Sequence, residues 1–330
     1  MYPYLYDRAT GIPDAVHATA GARTTPTAAP AQFIAGGTQL IDLMKLGVIA
    51  PERLVDINGL TMTAIAVGPD GLRLGALVRM AELERHPDVR RDYPVLAETM
   101  ALAASQQIRA MASLAGNTLQ RTRCEYFRDT AWSECNKRTP GSGCAAIGGV
   151  TRKMAVLGTS DQCIATYPGD FAQALVALGA VVHTTTRTLS FEQLHGGADR
   201  PHIETVLEAD ELITGFVVPA GPWTKRSTYV KVRDRQSYAY GLATAAVALH
   251  VEGGIVRDAR IGLGGVAYKP WRAHEAEAAL HGKKLDEDSA IAAARAAFAG
   301  AKPHGENAFK IDLGQRTLVR ALLQANRMEG

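Results

Sequence analysis

Gln32-Phe-Ile-Ala-Gly-Gly-Thr-Gln-Leu-Ile-Asp-Leu-Met-Lys-Leu-Gly47 is the stretch from which the architecture can be read. Gln32-Phe33-Ile34 is a compact apolar strand, and Ala35-Gly36-Gly37-Thr38 is a turn. Leu40, Ile41, Leu43, Met44 and Leu46 then recur at helical spacing until Gly47 stops them. Arg53 to Ile57 reads as a second strand, so strand, glycine turn, helix and strand fit within one βαβ unit. Paired glycines between strand and helix let the backbone approach a ligand closely, with the free N–H groups of the helix start facing phosphate. The turn is not G-x-G-x-x-G, and no acidic residue sits at ribose-binding distance, so an ordinary Rossmann site is not supported.

Further along, Ala64 to Leu77 alternates about Pro69-Asp70-Gly71 and predicts a hairpin. Val78 to Ser105 is helical with interruptions at His86-Pro87 and Tyr93-Pro94. Ile108 to Gly116 is apolar and small and is expected to break at Gly116-Asn117, where the asparagine suits a left-handed turn. The two small-residue turns, one at Ala35 to Leu40 and one at Ser113 to Thr118, could together hold a pyrophosphate. Met154 to Leu157 reads as a strand. Asp170 is expected to N-cap a helix closed by Gly179, with strands at Val181 to Thr186 and Leu212 to Val218. Gly221-Pro222 marks the domain boundary. Beyond it lie strands at Tyr229–Arg233, Ala243–His250 and Ala259–Leu263, then helices at Trp271–Leu280, Ser289–Ala299 and Gln315–Ala325.

The chain has 330 residues, which suits two domains at about 150 residues each. Its 36 Lys and Arg against 33 Asp and Glu are too balanced for a nucleic-acid footprint. No run approaches the roughly 18 apolar residues of a membrane span. Met1 to Arg8 lacks the basic and apolar regions of a secretory signal, so the chain by itself reads as cytosolic. No nucleophilic triad, paired-carboxylate site or H-E-x-x-H is present, and substrate chemistry has no visible home.

Residues 120–150 have little periodicity, and a loop of that length is usually functional. Cys124, Cys135, Cys144 and Cys163, the only cysteines, fall within 40 residues, separated by ten, eight and eighteen others. Four thiolates suffice for one [4Fe–4S] cluster, though the spacing matches neither ferredoxin pattern. Zinc sites usually carry a C-x₂₋₄-C knuckle, absent here, and disulfides are disfavoured in a reducing cytosol. Cluster, disulfides or free thiols, and zinc all stay open on spacing alone. Arg121, Arg123, Lys137 and Arg138 would favour thiolate forms.

Read in order, these segments resemble the FAD-binding subunit of the xanthine oxidase (molybdenum hydroxylase) family. Ala35-Gly-Gly-Thr-Gln-Leu40 and Ile108-Arg-Ala-Met-Ala-Ser-Leu-Ala-Gly-Asn117 match its two loops, and Tyr167-Pro168-Gly169-Asp170 stands for its His-Pro-Ser-Asp element. Gln120-Arg-Thr-Arg-Cys124, Cys135-Asn-Lys-Arg138, Pro140-Gly-Ser-Gly-Cys144 and Cys163-Ile-Ala-Thr166 are most similar to the flavoprotein subunits of bacterial periplasmic aldehyde oxidoreductases, as are Tyr229 to Tyr238 and Gly264 to Arg272.

The resemblance implies an α+β protein. A two-lobed FAD-binding domain of the PCMH type would span residues 1–222, with lobes of about 1–60 and 61–222 and a cluster loop of about 120–163. A C-terminal α+β domain like that of CO dehydrogenase flavoproteins would span 223–330. FAD would rest on Ala35, Gly36, Gly37, Thr38, Gln39 and Leu40, with Ser113, Gly116, Asn117 and Thr118 at its phosphates or ribityl chain. Asp170 would meet a sugar hydroxyl, and Ile213 and Lys231 would border the isoalloxazine, Lys231 tuning it. The four cysteines would bind [4Fe–4S]. Partners would be a large molybdopterin-binding subunit and a small [2Fe–2S] subunit in a heterotrimer, with an external electron acceptor. The resemblance places the complex in the periplasm, the chain being exported folded with a signal-bearing partner. The competing readings are a self-contained FAD-dependent oxidase and a non-catalytic assembly module held by metal or disulfides.

Overall fold

A computed structural model describes residues 1–20 and 25–329. Its first unit is β1 (Leu5–Arg8), α1 (Ile12–Thr19), β2 (Ala31–Ile34), α2 (Leu40–Lys45) and β3 (Arg53–Asp56). The strands form a parallel sheet ordered β1-β3-β2, so the glycine turn does join a strand to a crossover helix. β1 and α1 were not anticipated from the sequence. All four residues of β1 are exposed, which removes the alternation that would betray a strand.

The second unit opens with the expected hairpin, β4 (Ile65–Gly68) and β5 (Gly71–Gly75). Three short helices follow: α3 (Met80–Arg85), α4 (Pro87–Asp92) and α5 (Pro94–Leu102). Each proline begins a helix, because its missing N–H is an orphan at that position anyway. Next come α6 (Gln106–Met111), α7 (Leu114–Thr118), α8 (Glu125–Arg128) and, after the cysteine segment, α9 (Phe171–Leu178). β6 (Val181–Thr184), β7 (Thr188–Ser190), α10 (Phe191–Leu194) and β8 (Ile213–Pro219) complete an antiparallel sheet ordered β4-β5-β8-β6-β7.

The third unit is a sheet ordered β12-β11-β10-β9, from β9 (Ser227–Val232), β10 (Ala243–Glu252), β11 (Ile255–Gly264) and β12 (Trp271–Arg272). Helices α11 (His274–Leu280), α12 (Glu287–Ala297) and α13 (Phe309–Asn326) cover one face. Strand periodicity explains how both faces are used. Ala243, Ala245, Val247 and Leu249 belong to the core under these helices, whereas Ala246 and Ala248 join the core of the second unit. Register puts Tyr229 opposite Ala246 and Lys231 opposite Thr244, so both project toward α9. Small residues on β10 allow that close approach.

Three expectations fail. Met154 to Leu157 forms no strand, only an isolated bridge from Leu157 to Ala267: Lys310 Nζ takes the Met154 carbonyl at 2.9 Å and Asn307 Nδ2 that of Ala155 at 3.0 Å, so side chains take two of its carbonyls. The break foreseen at Gly116-Asn117 falls earlier, at Ala112-Ser113; both residues lie inside α7, where the Ser113 hydroxyl accepts the Gly116 N–H. Trp271-Arg272 is an edge strand, and the helix begins only at His274.

Candidate functional site: a two-loop cleft and a ring of thiols

Gly36 brings the two small-residue turns together. A Cβ there would lie 2.0 Å from the Met111 carbonyl oxygen and 3.1 Å from the Ala112 Cα, so only glycine lets the backbones touch. Gly37 turns with φ +68°, Thr38 is exposed at the rim, and Leu40 packs beside Ile34, Met44 and Leu54. Gln39 clasps the main chain of Arg121: its Oε1 accepts the Arg121 N–H at 2.8 Å and its Nε2 donates to the Arg121 carbonyl at 3.1 Å. In α7, Ser113 is buried and Gly116 exposed, while the Thr118 carbonyl accepts from His195 Nε2 and Tyr167 Oη. Asn117 donates to the Met80 sulfur, and its buried Oδ1 has no partner among the described residues, an orphan acceptor beside the turn.

Two residues the sequence did not single out brace this junction. Arg79 donates to the Met111 carbonyl at 2.6 Å and to Asn58 Oδ1 at 2.7 Å, and Asn58 Nδ2 donates to the Ala35 carbonyl at 2.9 Å. No motif marks them; only pairing across the fold reveals the connection.

Asp170 stands at the start of α9, yet its carboxylate does not cap the helix. It accepts instead from Tyr229 Oη and from Lys231 Nζ, each at 2.7 Å, and Lys231 also donates to the Leu102 carbonyl. Both residues of the Asp170–Lys231 pair are almost fully buried, locking the C-terminal sheet to the second unit. Ile213 is buried in the apolar core that holds Phe171 and Phe216. Tyr167 and Gly169 form a matched set, since a Cβ on Gly169 would lie 2.5 Å from the Tyr167 ring. Gly169→Ser is expected to destabilise the protein by about 1–3 kcal/mol through overpacking. Tyr167→His in the same chain should restore most of that loss, as read from urea unfolding midpoints.

Cys124, Cys135, Cys144 and Cys163 line one small pocket, and none is bonded to another. Among the described residues no three His, Cys, Asp or Glu side chains close on a point as ligands of a single ion do. Cys135 pairs with Cys144 in a two-residue bridge. Burial pushes the Cys124 thiol up to about 11, against the N–H groups of Phe127 and Tyr126. Cys144 is drawn down by the Cys163 S–H it accepts and by the N–H groups of Ala146, Ile147 and Ile164. The loop holds itself by other means too: Arg138 donates to the carbonyls of Tyr126, Phe127 and Asp129, and Asn136 Oδ1 accepts from Gly141 and Gly143.

A buried ion trio ties the thiol pocket to the Arg121 segment that Gln39 clasps. Arg121 and Lys137 bond Glu204 at 2.8 and 2.9 Å, and Lys137 Nζ lies 3.0 Å from Tyr268 Oη. Asp42 on α2 pairs with Arg123 and Arg128 on either side of Cys124. Burial holds the neighbouring His195 neutral, its pKa pulled down to about 4.

Residues 6–221 match the family of FAD binding domains in molybdopterin dehydrogenases, and residues 227–325 match the CO dehydrogenase flavoprotein C-terminal domain. The chain is an FAD-binding subunit of the molybdopterin dehydrogenase family. It is 47% identical over 302 residues to the aldehyde oxidoreductase FAD-binding subunit PaoB of Escherichia coli (strain K12), covering 89% of this chain and 91% of that one. The carbon monoxide dehydrogenase medium chain of Afipia carboxidovorans is 28% identical over 330 residues, with 97% and 96% covered. The solved carbon monoxide dehydrogenase of Hydrogenophaga pseudoflava superimposes with a TM-score of 0.75 at 25% identity over 98% of both chains.

Proposed function

We propose that the chain is the flavin subunit of a molybdenum-dependent aldehyde oxidoreductase, and that its four cysteines hold a [4Fe–4S] cluster. Electrons removed from an aldehyde on a large molybdopterin subunit reach FAD here through a small [2Fe–2S] subunit and leave to an external acceptor. The observation that carries this reading is the 47% identity to an aldehyde oxidoreductase FAD-binding subunit across nine-tenths of both chains. Relatives named as medium chains of larger enzymes favour it over a self-contained oxidase.

The residues suit both groups. The Gly36 contact and the orphan Asn117 Oδ1 fit a polar, closely approached ligand. Four thiols spread round a pocket, with backbone N–H groups at three of the sulfurs, fit a cluster held by thiolates better than a single ion. FAD supplies the two-electron chemistry. This chain positions and shields: Gln39 and Asp42 fix the cluster loop against the flavin loop, and Asp170 with Lys231 seals the two domains.

An absorption spectrum with iron and sulfide analysis of the purified complex tests the proposal. About four irons are expected beyond those of the partner clusters, and Cys144→Ser should remove them while flavin stays. Zinc, or disulfides with no additional iron, would sink the cluster assignment.

A further inference from the structure

We propose that Arg79 supplies the positive charge that binds the diphosphate of the dinucleotide, a role that rests on the FAD reading above. A diphosphate needs charge-assisted donors. The helices opening from the two turns offer little, because α2 has six residues and α7 five, too few to sum a strong dipole. The other cations tied to this region are committed: Arg121 to Glu204, Arg123 and Arg128 to Asp42, and Lys231 to Asp170. Arg79 differs. Among the described residues no carboxylate oxygen lies within ion-pair distance of its guanidinium; Glu82 accepts only its backbone N–H.

Its place is equally specific. The residue bridges to Ser113 in a backbone pair, so it enters the second turn directly. It bonds the Met111 carbonyl, the atom against which Gly36 is pressed, and through Asn58 it reaches the Ala35 carbonyl of the first turn. Two of the five guanidinium N–H donors are used in this way. The other three have no protein partner among the described residues. One side chain therefore sets the spacing of the two turns and leaves unspent donors and an unneutralised charge between them.

The test uses the intact complex, stripped of flavin and titrated with FAD at low and high salt, for the wild type, Arg79→Gln and Arg79→Lys. Arg79→Gln is expected to weaken FAD by about tenfold to a hundredfold, the effect of losing a hydrogen bond to a charged group. It should also flatten the salt dependence, since a screened attraction is gone. Arg79→Lys keeps the charge but not the two-point brace and should recover most of the affinity and the salt dependence. Thermal melts of the flavin-free variants confirm that each is folded. FAD affinity within twofold of wild type in Arg79→Gln overturns the proposal, as do equal losses in both variants, which would make Arg79 a brace alone. A wild-type complex that takes up no FAD would instead unseat the flavin reading.

Discussion

Replacing Glu204 by leucine is expected to cost about 3–5 kcal/mol of folding stability, because it strands two buried cations with no carboxylate between them. Arg121 and Lys137 have side chains only 10% and 7% exposed, and both converge on Glu204. Burial by itself would raise the Glu204 carboxyl, but the two cations outweigh it and hold it near 2, against an ordinary value of 4.5. A carboxyl lowered by folding stabilises the protein above its unfolded pKa, and that contribution fades as pH falls from about 4.5 toward 2. Glu204→Gln, nearly the same shape, should therefore be most damaging at pH 7 and approach wild type near pH 2.5. Urea unfolding at both pH values checks this. Equal losses at the two would mean that shape, and not charge, is what Glu204 provides. Because Lys137 lines the thiol pocket and Arg121 is clasped by Gln39, the proposed cluster and the flavin should be lost together.

Elements with local causes were legible in the sequence. Pro87 and Pro94 break the helical run into α3, α4 and α5, Pro69-Asp70-Gly71 makes a tight turn, and the runs read as strands at Tyr229–Arg233, Ala243–His250 and Ala259–Leu263 overlap β9, β10 and β11. Where the cause was distant, reading failed. Met154 to Leu157 looks like a strand until Lys310 and Asn307 arrive from more than 150 residues away to take its carbonyls. The exposed residues of β1 carry no pattern because that edge faces solvent. The same division runs through the site. Four cysteines within 40 residues announce themselves, and the two glycine turns have a recognisable chemistry. Arg79, Asn58 and Glu204 do not, since an arginine or a glutamate in a sequence looks the same whether it is solvated or holds two loops together. Asp170 shows the intermediate case: its position before a helix was readable, but its partners Tyr229 and Lys231 come from another domain and draw it away from capping.

Gly36→Ala should release flavin while leaving most of the protein folded. The added Cβ would stand 2.0 Å from the Met111 carbonyl oxygen and 2.6 Å from its carbon. These are backbone atoms, held in place by Arg79 on one side and by the Met80 N–H bonding the Ala112 carbonyl on the other, so no side chain can swing aside. The turns must separate instead, at about 3 kcal/mol or more, the upper end of overpacking costs. Separation moves the Ala35 to Leu40 turn away from Ser113 and Asn117, and a ligand that needs both loses one. The flavin-to-protein absorbance ratio should fall at least tenfold. Gly47→Ala is the matched control: it also replaces a glycine near the turn, at φ +70°, but its Cβ would meet nothing within 4 Å. It should cost about 1 kcal/mol for the left-handed backbone and keep its flavin. Full flavin content in Gly36→Ala would show that the contact between the two turns is packing alone, and would detach cofactor binding from the closeness of the loops.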